Sequence, residues 1–118
     1  DAQAIAVGEA RSRSCGSVIS LSSVHTGRLE RIGLKVSACA VGQASAAIFA
    51  REAGGMDAAA VSRTLGALGE WLEGDAAAPA LERIDMLEPA RAYRARHGAI
   101  LLPWKAALDA LSKGGGAG

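Results

Sequence analysis

Three side chains in this 118-residue sequence stand where chemistry could be done: the thiols of Cys15 and Cys39 and the imidazole of His97. Each falls at a boundary between expected elements. Cys15-Gly16-Ser17 lies between two strand patterns, Cys39 between a third strand and a helix of small residues, and His97 ahead of the last helical stripe. Gly16 lets the backbone turn sharply beside a bulky ion. Cys39 precedes a helix, where unpaired N–H groups and the macrodipole favour the thiolate. Metal coordination, persulfide formation and nucleophilic attack all require that thiolate, so the pattern marks a site without naming a reaction. As a nucleophile–base pair, Cys39 and His97 lack an orienting carboxylate, and enzyme activity is not expected.

The elements that must position these residues follow from hydrophobic periodicity. Ile5, Val7, Glu9, Arg11 and Arg13 alternate with Ala10, Ser12 and Ser14. Residues 17–24 form a second strand pattern with Ile19 and Leu21 on a shared face, and His25-Thr26-Gly27 makes a turn. Residues 29–38 give the cleanest period of two, with Ile32, Leu34, Val36 and Ala38 on one side and Arg31, Gly33, Lys35 and Ser37 on the other. Short connections imply a three-stranded antiparallel meander with one covered face. In that topology the first turn and the end of the third strand share one end of the sheet, so Cys15 and Cys39 can be neighbours.

After Cys39 the chain reads as helix. Residues 42–53 end at Gly54-Gly55, and Asp57 is a fitting N-cap for a helix carrying Val61, Leu65, Leu68 and Leu72. A short helical piece at 81–87 is expected to break at Pro89. A final helix carries Leu101, Trp104, Leu108 and Leu111, with Pro103 in its first turn. Strands first and helices after is the α+β signature, with helices laid over one sheet face. One domain over residues 1–113 and a disordered glycine-rich tail at 114–118 are expected.

Composition removes several classes. Thirteen basic against twelve acidic residues leave a net charge of +1, which argues against nucleic-acid binding by phosphate neutralisation. No apolar run approaches the ~20 residues of a membrane span. Asp1-Ala2-Gln3 begins no signal-peptide pattern, so reduced thiols and a cytoplasmic location are expected. His25 reads as surface, and Trp71 and Trp104 as core anchors. Arg91, Arg94 and Arg96 form a charge run that is either a solvated face or a basic rim for an acidic partner.

Three motifs together resemble the NifU/IscU/SufU scaffold family: Cys15-Gly16-Ser17, the run Ala38-Cys39-Ala40-Val41-Gly42-Gln43-Ala44-Ser45, and Ala95-Arg96-His97 before a terminal helix. The likeness runs from about Ala4 to Leu111. It implies a SufE/NifU-like α+β fold and a non-enzymatic iron–sulfur cluster assembly scaffold. Cys15 matches the first family cysteine and Cys39 the second. Ser17 stands where most members have aspartate, and the third cysteine is missing, with His97 or Gly98 at its place depending on register. The resemblance thus implies two thiolates and one imidazole, Cys15, Cys39 and His97, as ligands of a zinc ion or an iron–sulfur cluster. A Cys₂His set with an open fourth position suits tetrahedral Zn²⁺, and zinc is the metal expected after purification. Implied partners are a cysteine desulfurase or other sulfur donor and recipient apoproteins, with a second copy of the chain as one source of a missing ligand. Two other readings stand beside it: a sulfur-transfer accessory using a Cys39 persulfide, and a degenerate, metal-free interaction module. The segment holding Pro89 lacks the rest of the family's chaperone-binding stretch, so no such recognition is expected.

Overall fold

The computed structural model describes residues 5–13, 16–24 and 26–115. Strands β1 (Ile5–Arg11), β2 (Val18–Val24) and β3 (Gly33–Ser37) form one antiparallel sheet in the order β1-β2-β3. The register runs from Ile5↔Val24 to Arg11↔Val18 on one side of β2, and from Val18↔Ser37 to Ser22↔Gly33 on the other. Alternation sends Ile19 and Leu21 fully into the core, with Ala6 beside them. Ile5 and Val7 face the other way and are exposed.

Four helical elements follow the sheet: α1 (Ala40–Glu52), α2 (Ala58–Leu72), a 3₁₀ segment (Ile84–Ala92) and α3 (Arg94–Gly115). The long helix α3 lies across β1 and β2 and also packs on α1 and α2. Gly8 permits that approach. A Cβ there would collide with the Ala106 carbonyl and the Ala110 amide, and would sit 2.9 Å from the Ala110 methyl. Phe49 of α1 meets Trp104 of α3 edge to face, with ring centroids 4.8 Å apart. Asp57 caps α2 by accepting from the Ala60 N–H at 2.9 Å.

The fold class is the expected one, but three boundaries move. β3 is shorter than the alternation over 29–38 implies. Leu29 is fully buried, yet its backbone pairs with the loop before α2: its N–H donates to the Met56 carbonyl and its carbonyl accepts from Gly55. Arg31 then takes a positive φ of 51° before the strand begins. Pro89 does not end the short helix; it sits inside the 3₁₀ segment. The largest shift is in α3, which begins nine residues before Pro103, so the proline lies mid-helix. Pro103 cannot donate to the helical ladder. The missing N–H withdraws the helical donor of the Ala99 carbonyl; one residue on, the buried Ser45 hydroxyl of α1 donates to the Ile100 carbonyl at 2.6 Å and ties α1 to the helix beside that gap. α3 continues through Gly114 and Gly115. Residues 116–118 lie outside the described residues.

Candidate functional site

Cys39 is the N-cap of α1, in extended backbone with φ −67° and ψ 174°. The first turn of a helix leaves N–H groups without intrahelical partners. Those of Gly42 and Val41 are directed at the sulfur without closing a geometrically ideal capping bond. The Gly42 N–H is the largest influence holding the thiol below its usual pKa; partial desolvation opposes it, and the Val41 N–H and the Arg96 guanidinium add to it. The thiol is half-buried and free.

The sulfur opens onto a cleft of about 380 Å³. Cys39, Ala40 and Val41 form one wall. Met86, Pro89 and Ala90 of the 3₁₀ segment form another, and Tyr93 and Arg96 complete it. Met86 and Tyr93 are 57% and 65% exposed, so the apolar wall faces solvent.

His97 lies in the first turn of α3 rather than ahead of the helix, and it is not among the residues lining this cleft. It is buried, with Nε2 2.8 Å from the Arg91 carbonyl. A carbonyl oxygen only accepts, so Nε2 carries the proton and donates. Nδ1 faces Glu73 at 3.9 Å. Coordination through Nε2 would require the ring to leave Arg91. Among the described residues, no three His, Cys, Asp or Glu side chains form a group that could hold a metal.

Cys15 lies outside the described residues, as does His25. Among the described neighbours, the Ser12 N–H donates to the Ser17 carbonyl at 2.8 Å and the Gly16 N–H to the Ser12 carbonyl at 3.0 Å. Gly16 takes a φ of +70°, which explains a glycine at this position. Ser17, in the slot of the family aspartate, is 2% exposed.

The arginine run separates into individual tasks. Arg91 lies over the Trp71 ring at 4.9 Å, donates to the Trp71 carbonyl at 3.0 Å and pairs with Glu88 at 2.7 Å. Arg94 pairs with Glu73 at 3.1 Å. Arg96 alone of the three lines the Cys39 cleft. Its link to Cys39 was not apparent in the sequence. The one available signal is its place in the first turn of a helix that starts at Arg94, which the Pro103-based boundary hides.

A three-stranded meander with its helices on one face and a half-buried thiol at the N-cap position of the helix after β3 defines a small α+β domain. No protein-family model matches the chain, and no curated protein matches it. Solved structures do. A nitrogen-fixing NifU-like protein (N-terminal) from Brucella abortus is 31% identical, over 96% of this chain and 81% of that one, with a TM-score of 0.82. The chain belongs to the NifU/IscU/SufU-like family. An iron–sulfur cluster assembly scaffold protein for the SUF system from Fervidobacterium islandicum shares the fold at 22% identity, over 90% of this chain and 79% of that one, with a TM-score of 0.76. A hypothetical protein shares it at 20% identity, over 92% of this chain and 82% of that one, with a TM-score of 0.79.

Proposed function

We propose that this chain is a non-enzymatic, scaffold-like protein of iron–sulfur cluster assembly, whose working group is the Cys39 thiolate. The observation that carries the reading is the placement of that sulfur. It stands at the N-cap position of α1, is held toward the thiolate and opens into a solvent-facing cleft on a fold shared with cluster scaffolds. A buried structural cysteine would have neither the opening nor the lowered pKa.

Cys15 and Cys39 are the ligands this chain offers to its cargo, a zinc ion or an iron–sulfur cluster. His97 is the third candidate, but to coordinate through Nε2 it must break its bond to the Arg91 carbonyl. A donor, a recipient apoprotein or a second copy of the chain then completes the sphere, and a cysteine desulfurase is the kind of donor such a scaffold uses. A location with reduced thiols, such as the cytoplasm, fits this use. Metal analysis of freshly purified protein tests the ligand assignment: metal should be bound by the wild type and lost in Cys15→Ser and Cys39→Ser. Equal metal content in all three would contradict it.

A second reading is favoured by Arg96, a cation suited to an anionic sulfur species beside Cys39. In it the Cys39 thiolate attacks the outer sulfur of a donor persulfide R–S–SH. The Cys39–S–SH bond forms, the donor S–S bond breaks and R–S⁻ leaves with the electron pair. Mass spectrometry after incubation with a persulfide donor reads this step as one added sulfur on Cys39.

A further inference from the structure

β1 is the outer strand of the sheet: it pairs with β2 on one side, and no other described strand meets its other side. Along an antiparallel ladder, residues bonded to the neighbour alternate with residues whose N–H and C=O turn outward. The Ser12 N–H bonds to the Ser17 carbonyl in continuation of the β1–β2 register, so the even positions face β2. Ile5, Val7, Glu9 and Arg11 therefore turn their backbone groups to the open edge. Such an edge is a template for a further strand. The segment Ile-Ala-Val-Gly-Glu-Ala-Arg has no net charge and no proline, and Ile5 and Val7 are exposed, so β1 has the features of a self-pairing strand.

One group on that edge is already taken. α3 packs along β1 where Gly8 admits it, and Asp109 Oδ2 accepts from the Glu9 N–H at 3.0 Å. Lys113, one turn further on, holds the same carboxylate oxygen at 3.0 Å. The Glu9 N–H and then Lys113 keep the Asp109 carboxyl below its usual range, against a smaller opposing cost of desolvation. A second β1 pairs along the full strand when a two-fold axis passes at Gly8. Glu9 then lies opposite Val7 of the second copy and Arg11 opposite Ile5, so no like charges meet directly. In that register the Glu9 N–H must donate to the Val7 carbonyl of the second copy. Asp109 holds that donor and sets a negative charge against the arriving oxygen, at both symmetry-related places. We infer that Asp109, braced by Lys113, is an edge guard: it occupies the Glu9 amide and keeps β1 from pairing with β1 of a second copy. The inference stands apart from the reading of Cys39.

Sedimentation velocity of the full chain under reducing conditions tests it across a concentration series. Asp109→Ala should self-associate about tenfold more tightly than the wild type, the scale of regaining two backbone hydrogen bonds across a symmetric pair. Adding Val7→Pro should return it to wild-type behaviour, because the Val7 N–H faces the open edge and a proline there blocks an added strand without breaking the β1–β2 ladder. Ser45→Ala, which loses a buried hydrogen bond between α1 and α3, controls for association caused by lowered stability and should behave as the wild type. Amide hydrogen exchange reads the guard in the unmutated chain and so does not depend on the variants folding. After correction for intrinsic rates, the Glu9 amide should exchange about tenfold more slowly than the Val7 amide of the same edge. Asp109→Ala that associates no more than the wild type would overturn the inference, as would association that survives Val7→Pro or appears equally in Ser45→Ala. Equal exchange at Glu9 and Val7 would overturn it as well.

Discussion

Val18 of β2 pairs with Ser37 of β3, and this register sets the end of the sheet from which the chain runs on to Cys39. Cys39 lies two residues beyond Ser37, and Cys15 three residues before Val18. In an antiparallel pair those two directions point to the same end. At that end the Ser12 N–H donates to the Ser17 carbonyl and the Gly16 N–H to the Ser12 carbonyl.

A trivalent arsenical such as phenylarsine oxide needs two thiols close together, so it tests directly the proposal that Cys15 and Cys39 act as a pair. It should bind the wild-type chain one to one and resist a large excess of a monothiol. In Cys15→Ser or Cys39→Ser that resistance should disappear, as followed by intact-mass spectrometry. Wild-type protein that releases the arsenical as readily as the single-thiol variants would separate the two sulfurs.

The Cys39 thiol should ionise below the ordinary thiol range, because the Gly42 and Val41 N–H groups and Arg96 stabilise the anion more than desolvation opposes it. Alkylation of Cys15→Ser protein should therefore rise with pH through a midpoint below that of a free cysteine peptide. Removing a cation disfavours the anion, so Arg96→Gln should move the midpoint upward and slow alkylation at neutral pH. An unchanged midpoint would place the guanidinium out of reach of the sulfur.

His97→Gln separates positioning from coordination. A glutamine amide can still donate toward the Arg91 carbonyl that His97 Nε2 engages at 2.8 Å, but it is a far poorer ligand than imidazole. The geometry predicts that metal content per chain is retained in this variant while His97→Ala loses stability. Loss of metal in His97→Gln with the fold intact would instead make the imidazole a ligand after rearrangement.

Ser45→Ala should cost about 0.5–1.5 kcal/mol, the net worth of one intramolecular hydrogen bond. The affected group is the Ile100 carbonyl, close to the break made by Pro103. Denaturant unfolding monitored by tryptophan fluorescence gives the value. A cost near zero would mean the helix closes around the proline unaided.

The sheet was legible because its two-residue period is a local signal: Ile19, Leu21 and Val36 fall on the expected face. Asp57 was equally readable, since a capping carboxylate acts on an amide three residues away. The end of β3 nearest the turn was not, because Leu29 trades sheet pairing for bonds to Gly55 and Met56, a choice made by a distant loop. α3 was misjudged for a related reason. Pro103 reads locally as a helix start, whereas packing on β1 at Gly8 and the Ser45 hydroxyl support the helix on both sides of it. That one boundary also concealed the site. With α3 starting at Arg94, His97 turns toward Arg91 and Glu73, and Arg96 takes the position beside Cys39.

The central claim is that Cys39 is the working thiolate of a cluster scaffold. Anaerobic incubation with ferrous iron and sulfide, followed by iron and acid-labile sulfide counts per chain, tests it most directly. Wild-type protein should acquire a coloured, sulfide-containing cluster and pass it to an apo-ferredoxin, and folded Cys39→Ser should do neither. Wild-type protein that stays folded and colourless, or a Cys39→Ser variant that loads as well as the wild type, would contradict it.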